Sequence, residues 1–91
     1  MMFFVKNISS QEYQDLGIAL WEPWENTTHK GTWEVEETES FYVLDGEVHI
    51  TVDEVTHIVT KNMLVFLPKG LVCVWYIPNY LKKVYKLGAA N

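Results

Sequence analysis

The side chains of this sequence that could take part in chemistry are one thiol and three imidazoles, set among carboxylates and amines. Cys73 is the single cysteine, so it cannot form an internal disulfide, and a zinc site built from several cysteines is excluded. His49 lies in an alternating segment, on the side opposite the apolar residues, while His29 and His57 lie near predicted loops or strand starts. Histidines in such places are typical of a solvated surface, so they indicate no metal or catalytic site by themselves.

The balance of charge limits the partners of the chain. Its 91 residues include 7 basic and 12 acidic ones, which gives a formal net charge of -5, and arginine is absent. The basic residues cluster only at Lys82, Lys83 and Lys86. Nucleic acids and anionic membrane surfaces both select a broader basic face, so we expect neither as a partner.

Thiol content and the apolar segments predict a soluble, intracellular, cytoplasmic protein. The apolar run from Met1 to Val5 has only five residues, too few for a secretory signal peptide. No apolar stretch reaches the length of a membrane span. A lone thiol suits a reducing compartment.

One short helix is predicted to come before the strands that must position these groups. Ser9 and Glu12 have the spacing of a capping box, and Gly17 supplies a stop, which predicts a helix near residues 10–16. From Thr32 onward the apolar residues mostly recur with period two, which indicates strands. The predicted strands are 32–35, 39–44, 47–52, 56–60, 63–67, 71–77 and 81–87.

Turn signals separate these strands. Asp45-Gly46 predicts a hairpin turn, Pro68-Lys69-Gly70 breaks the chain, and Pro78-Asn79 predicts a turn between the last two strands. Short strands with turns about every 8–12 residues are typical of an all-β sandwich or barrel. Closure of the sheet would also remove the exposed edges that so apolar a chain cannot safely leave open.

The order of these elements resembles the cupin superfamily. The first cupin motif has a Glu, six residues and a Gly, as in Glu39–Gly46, with an aromatic-Val-Leu stretch before the turn. The second has a Gly, five residues and Pro-x-Gly, and it is matched by Asn62–Gly70 except that Asn62 replaces the first Gly. Asparagine, like glycine, tolerates a left-handed turn conformation.

A closer resemblance is to small single-domain cupins similar to the cupin domain of ureidoglycine aminohydrolases. Besides the first motif, it is carried by Trp21-x-x-Trp24, Val65-Phe66-x-Pro68-Lys69-Gly70-Leu71, Trp75 and Lys83-x-Tyr85. This resemblance implies one cupin domain over residues 1–91, whose jelly-roll barrel (a double-stranded β-helix) covers about residues 18–87. It also implies a homodimer. Trp21 and Trp24 could pack over one barrel face or lie at the dimer contact, to which Tyr80 and Leu81, expected to be exposed, could also contribute.

The metal ligands typical of cupins are mostly replaced. The resemblance puts the HxH pair at or near Trp33 and Val35, the motif glutamate at Glu39 and the last histidine at Cys73. A catalytic divalent ion normally has three protein ligands. Since Glu39 and Cys73 supply only two, we predict no metal and no other cofactor, with these two residues as the weak candidates.

Without a metal, Glu39 needs another partner inside the barrel, because burying a lone carboxylate is costly. In similar proteins the face of the last strand that carries Lys83 and Tyr85 points inward, so we expect Lys83 to pair with Glu39. The pair has two interpretations: a functional site, or an ion pair at the barrel mouth without chemistry. Cys73 shares strand parity with Trp75 and is interpreted either as a reactive thiol in the cavity or, preferably, as a small buried residue.

The resemblance then leaves three functions open. The first is a binding module for a small molecule, with a ligand site formed by Trp33, Glu39, Phe41, Cys73, Trp75, Lys83 and Tyr85. The second is a metal-dependent enzyme related to ureidoglycine aminohydrolase, which releases ammonia with the help of manganese. The third is a structural or interaction domain whose barrel is plugged by aromatic side chains.

Overall fold

The computed structural model describes residues 2–88, so Met1 and residues 89–91 of the predicted domain lie outside the described residues. Six strands and two short helices follow one another along the described range. They are β1 (Phe4–Asn7), α1 (Ser10–Asp15), a 3-10 helix (Ile18–Leu20), β2 (Glu22–Glu34), β3 (Glu39–Val52), β4 (Val55–Thr60), β5 (Met63–Leu67) and β6 (Val72–Leu87). The prediction of an all-β fold with one short N-terminal α-helix is confirmed.

Helix α1 forms where the capping-box spacing predicts it. The side-chain oxygen of Ser9 accepts a hydrogen bond from the Glu12 N–H at 3.1 Å, and the Glu12 carboxylate accepts one from the Ser9 N–H at 3.3 Å. Gly17 then adopts a left-handed conformation with a φ of 67°, which ends the helix. Neither helix within residues 2–88 has the length and apolar character needed to cross a membrane.

All six strands join one antiparallel sheet with β3 and β6 at its centre. Strand β6 pairs with β3 along one edge and with β2 along the other. Strands β5 and β4 share the second edge of β3, and β1 extends the sheet beyond β5. The central position of β3 and β6 brings the first cupin motif beside the Lys83-x-Tyr85 segment.

One face of the sheet surrounds a continuous apolar core, here called the inner cluster. Strands β3 to β6 contribute buried residues, and β1 and β2 pack partly buried side chains against them, so the sheet curls around this cluster. Its buried members are Val35, Phe41, Val43, Val48, Ile50, Val59, Val65, Leu67, Cys73, Trp75, Ile77 and Leu81. The predicted exposure of Leu81 at a dimer contact is therefore wrong.

The opposite face of the sheet carries a smaller core beneath the N-terminal segment, here called the outer cluster. Its buried members are Ile18, Tyr42, Leu64 and Val84, with Ile8, Tyr13, Trp21 and Leu44 packed against them. Adjacent residues of a strand point to opposite faces, so Phe41 reaches the inner cluster and Tyr42 the outer one.

The predicted hairpin turn at Asp45-Gly46 is wrong, because β3 runs through it as one strand from Glu39 to Val52. The pairing with β6 shifts register on both sides of this dipeptide. Gly46 has a φ of 80°, and a Cβ there would lie 2.0 Å from the backbone oxygen of Tyr80. Glycine is thus required by the close approach of two strands rather than by a reversal of the chain.

The predicted turn at Pro78-Asn79 is wrong for a similar reason, because it lies inside β6. Both residues lie opposite the single residue Thr28, where the register between β2 and β6 shifts. The Thr28 hydroxyl donates a hydrogen bond to the Pro78 carbonyl oxygen at 3.1 Å. Proline has no N–H to place in a strand ladder, so it suits a bulge.

Candidate functional site

An open pocket of about 540 Å³ lies at one end of the curled sheet, between β2 and the centre of the sheet. We call it the Glu39 pocket. Strand β2 and the loop after it supply most of its wall, and β3 and β6 supply its base. The lining residues are Trp24, Asn26, His29, Gly31, Thr32, Trp33, Glu36, Glu37, Glu39, Trp75, Lys83, Tyr85 and Leu87.

A buried ion pair joins β3 to β6 at this pocket. Nζ of Lys83 donates a hydrogen bond to the Glu39 carboxylate at 2.7 Å, and each residue is only 6% exposed. Glu39 is the first residue of β3, and Lys83 lies opposite Val43 of the same strand. Their long side chains span this offset along one face of the sheet, so the predicted pairing of Glu39 with Lys83 is confirmed.

Four aromatic rings surround the Lys83 ammonium, and together they form what we call the aromatic cage. Nζ lies 4.4 Å from the ring centroid of Phe41, 4.8 Å from that of Trp75, 4.9 Å from that of Trp24 and 5.6 Å from that of Tyr85. These distances are within the range of cation–π attraction. The cage therefore replaces part of the hydration that the ammonium loses.

The site makes the charged form of Lys83 less favourable than it is in water. Burial lowers the pKa of Lys83, and the attraction and hydrogen bond of Glu39 offset that effect in part. Glu36 and Glu37 are exposed and place two carboxylates at the rim of the pocket. The one lysine that lines the pocket, Lys83, pairs with Glu39 and not with them. The pocket thus combines a deep amine of lowered pKa with an acidic entrance.

Five of the seven predicted ligand-site residues line the Glu39 pocket, namely Trp33, Glu39, Trp75, Lys83 and Tyr85. The structure does not bring Phe41 and Cys73 to the pocket surface. Phe41 is fully buried beneath it, in edge-to-face contact with Trp75 and with its ring turned to the Lys83 ammonium.

Cys73 is a buried residue of the inner cluster. It is 2% exposed, and burial raises the pKa of its thiol. A thiol whose pKa is raised stays protonated at neutral pH and is a poor nucleophile. The interpretation of Cys73 as a small buried residue is therefore the one that agrees with the structure.

Strand β2 supplies the pocket residues that sequence reasoning missed. Trp24 and Asn26 face the pocket before the register shift, and His29 and Gly31 face it after the shift. The inward-facing residues have even numbers before the bulge and odd numbers after it. The alternation of inward and outward residues is therefore interrupted, and no continuous period-two pattern marks the strand. The alternative that Trp21 and Trp24 pack over the same barrel face is wrong, because Trp21 packs against the outer cluster and Trp24 against the inner cluster.

The metal-binding arrangement typical of cupins does not fit these residues. At the positions of the HxH pair, Trp33 has no ligand atom of the usual kind and Val35 is buried in the inner cluster. The Glu39 carboxylate is engaged by Lys83, and burial raises the pKa of the Cys73 thiol, which disfavours the thiolate that would bind a metal. Residues 2–88 contain no group of three or more His, Cys, Asp or Glu side chains that could hold a metal ion.

The curled antiparallel sheet, with a pocket at one end and the motif glutamate at its base, defines a cupin. Residues 13–85 match the model of the EutQ-like cupin domain. The chain therefore belongs to the EutQ-like cupin domain family. No curated protein matches the sequence.

Solved structures support the same fold. A DUF861 family protein of Thermotoga maritima is 26% identical, with 94% of this chain and 99% of that chain covered and a TM-score of 0.87. The EutQ protein of Clostridium difficile is 22% identical over 98% of this chain and 69% of its own, with a TM-score of 0.68. A Pseudomonas syringae protein of unknown function, also of the DUF861 family, is 21% identical over 71% of this chain and 28% of its own, with a TM-score of 0.68.

Proposed function

We propose that this cupin domain binds a small organic molecule in the Glu39 pocket. The observation that carries the proposal is the volume of about 540 Å³ above a buried ion pair. Binding sites for small molecules have volumes of about 300–1,000 Å³ and combine an apolar lining with a few convergent polar groups. Trp33 and Trp75, which could have plugged the barrel, instead line the open pocket.

The ion pair supplies the polar part of the recognition. A lysine ammonium has three donors. Among the described residues Nζ of Lys83 has one hydrogen-bond acceptor, the Glu39 carboxylate. A ligand oxygen could accept a further hydrogen bond from Nζ, while the tryptophan and tyrosine rings contact its apolar part.

The other functions predicted from the sequence have less support. Trp33 and Val35 lie where cupin enzymes have their HxH metal ligands, which weighs against metal-dependent deamination. The narrower relation to ureidoglycine aminohydrolases stays a prediction. An interaction domain with a filled barrel is less consistent with an open pocket. The homodimer and the cytoplasmic location also stay predictions.

The four tryptophans provide a direct test by nuclear magnetic resonance. Trp24, Trp33 and Trp75 line the Glu39 pocket, whereas Trp21 packs in the outer cluster. A library of small soluble metabolites should contain compounds that shift the indole N–H signals of the first three and leave that of Trp21 unchanged. If no compound shifts the three signals selectively at millimolar concentration, the proposal is wrong.

A pocket-filling variant sharpens the test. A Cβ at Gly31 would meet nothing closer than Nε2 of His29, at 3.8 Å, so Gly31→Leu should fit and occupy the pocket. It should abolish the selective shifts. Thr27→Leu is the matched control, because Thr27 is an exposed residue of β2 outside the pocket lining, and it should leave them unchanged.

A further inference from the structure

We propose that Lys83 is an imine-forming amine, whose Nζ condenses reversibly with a small aldehyde or ketone held in the Glu39 pocket. This proposal rests on the proposed binding function and names the chemical class of the ligand, a neutral carbonyl compound. It also gives the site an activity, the formation and hydrolysis of a carbon–nitrogen double bond.

The first support is the position of the amine. Lys83 lines the pocket although its side chain is only 7% exposed, so a ligand inside the pocket can reach an amine that bulk water barely touches. An imine forms only from the neutral amine, and burial lowers the pKa of Lys83, which increases the neutral fraction at a given pH.

The second support is the Glu39 carboxylate, which lies 2.7 Å from the same nitrogen. Glu39 can accept a proton from the ammonium, and the freed lone pair then attacks the carbonyl carbon. The carbonyl π electrons move to oxygen, which takes the proton from Glu39 and gives a carbinolamine. Glu39 next takes a proton from nitrogen and passes it to the hydroxyl group, which leaves as water.

The sum of these steps is balanced without an oxidant, a reductant or a further reactant. An ammonium and a carbonyl compound give a protonated imine and one water molecule. The charge pattern is unchanged, because a cation beside the Glu39 carboxylate is replaced by another cation. The aromatic cage, with rings 4.4–5.6 Å from Nζ, can attract the protonated imine as it attracts the ammonium.

The rim of the pocket favours an uncharged carbonyl compound over an anionic ligand. Glu36 and Glu37 are exposed carboxylates at the entrance, and they repel carboxylates and phosphates that approach Lys83. A neutral aldehyde or ketone does not experience this repulsion. Its oxygen can first accept a hydrogen bond from Nζ, which aligns the carbonyl carbon with the nitrogen.

Reductive trapping tests the proposal, with propanal as the probe and sodium cyanoborohydride as the reductant. The full chain is treated at neutral pH with limiting aldehyde, and the added propyl groups are located by peptide mass spectrometry. Lys82 is an internal control, because it directly precedes Lys83 in β6 and is exposed on the outer face of the sheet. We expect Lys83 to be labelled several-fold faster than Lys82, and labelling at equal rates would overturn the proposal.

Two variants separate an imine-forming amine from a purely structural lysine. Lys82→Arg should leave the rate of labelling at Lys83 unchanged. Glu39→Gln keeps the amine but removes the proton carrier, so labelling of Lys83 should slow several-fold while the surface lysines are unaffected. A faster or unchanged rate at Lys83 in Glu39→Gln would contradict the assigned role of Glu39.

The outcome can be separated from that of the binding proposal. If metabolites shift the signals of the three pocket tryptophans but propanal never labels Lys83 preferentially, the imine proposal is wrong and the binding function stands. If preferential labelling occurs and is blocked by Gly31→Leu but not by Thr27→Leu, both proposals are supported.

Discussion

Two polar pairs hold β3 to other parts of the chain, a buried one on the inner face of the sheet and a half-buried one on the outer face. On the inner face, Lys83 donates to Glu39 at 2.7 Å; on the outer face, the Tyr42 hydroxyl donates to the Asn62 side-chain oxygen at 2.9 Å. The outer pair is neutral, and it joins Tyr42 of the outer cluster to the exposed Asn62. The inner pair is charged and lies at the base of a pocket.

The difference between the pairs indicates which of them has a role beyond stability. A neutral hydrogen bond of this kind stabilises a fold by about 1 kcal/mol, and burial raises the pKa of Tyr42, which keeps its hydroxyl a donor. A buried ion pair has a large desolvation cost and is often no better for stability than an apolar replacement. We infer that the charged pair is retained for the pocket and the neutral pair for the fold.

The largest effect is expected from breaking the charged pair. Lys83→Ala leaves the Glu39 carboxylate buried without its partner, which should lower the free energy of unfolding by about 3–5 kcal/mol. Urea denaturation followed by tryptophan fluorescence measures this change. Lys82→Ala, at the exposed neighbour, should change it by less than about 0.5 kcal/mol. Comparable effects of the two substitutions would contradict the buried pairing.

Removal of both charges sharpens the comparison. The double variant Glu39→Gln/Lys83→Met should recover most of the loss seen in Lys83→Ala, because it leaves no buried charge uncompensated. It should nevertheless lose the selective ligand response of Trp24, Trp33 and Trp75. A double variant that is as unstable as Lys83→Ala would mean that the pair contributes mainly to stability.

A smaller effect is expected on the outer face. Tyr42→Phe removes the hydrogen bond to Asn62 and should cost about 1 kcal/mol in the same denaturation experiment. Ligand binding should be unchanged, since Tyr42 points away from the pocket. A loss of binding without a loss of stability would show that the two faces are not separable in this way.

The smallest effect is a dependence of stability on pH. Because the pKa of Lys83 is lowered by folding, the unfolded chain binds more protons than the folded chain between that lowered pKa and 10.5. The contribution of Lys83 to stability should therefore rise with pH in this window and be constant below it. The difference in unfolding free energy between wild type and the double variant Glu39→Gln/Lys83→Met measures this. A difference that falls with rising pH would contradict the direction of the shift.

The base of the pocket could be predicted from the sequence because its residues follow local rules. Glu39 belongs to a cupin motif, Lys83 and Tyr85 share a face through the period of two along a strand, and the resemblance to cupins indicates that this face points inward. Asn62, which replaces the motif glycine, adopts the expected left-handed conformation with a φ of 73°. These features depend on single positions and short spacings, which a sequence displays directly.

The wall of the pocket could not be predicted, because it depends on pairing between distant segments. Residues 22–30 are mostly polar, and the change of parity near Thr28 removes the alternation that would indicate a strand. Asp45-Gly46 and Pro78-Asn79 have compositions that suit either a turn or a bulge. Only the pairing of β3 with β6, and of β6 with β2, decides between the two.

The place of β2 in the sheet has a consequence for the lifetime of a complex. Strand β2 is an edge strand of the sheet, so within residues 2–88 it is hydrogen-bonded to one strand, β6. A strand held along one edge separates more readily than the central strands, and its amide hydrogens should exchange with solvent faster than those of β3. Since β2 forms most of the pocket wall, each local opening of β2 would remove contacts with a bound ligand and favour its release, and a bound ligand should in turn slow amide exchange along β2.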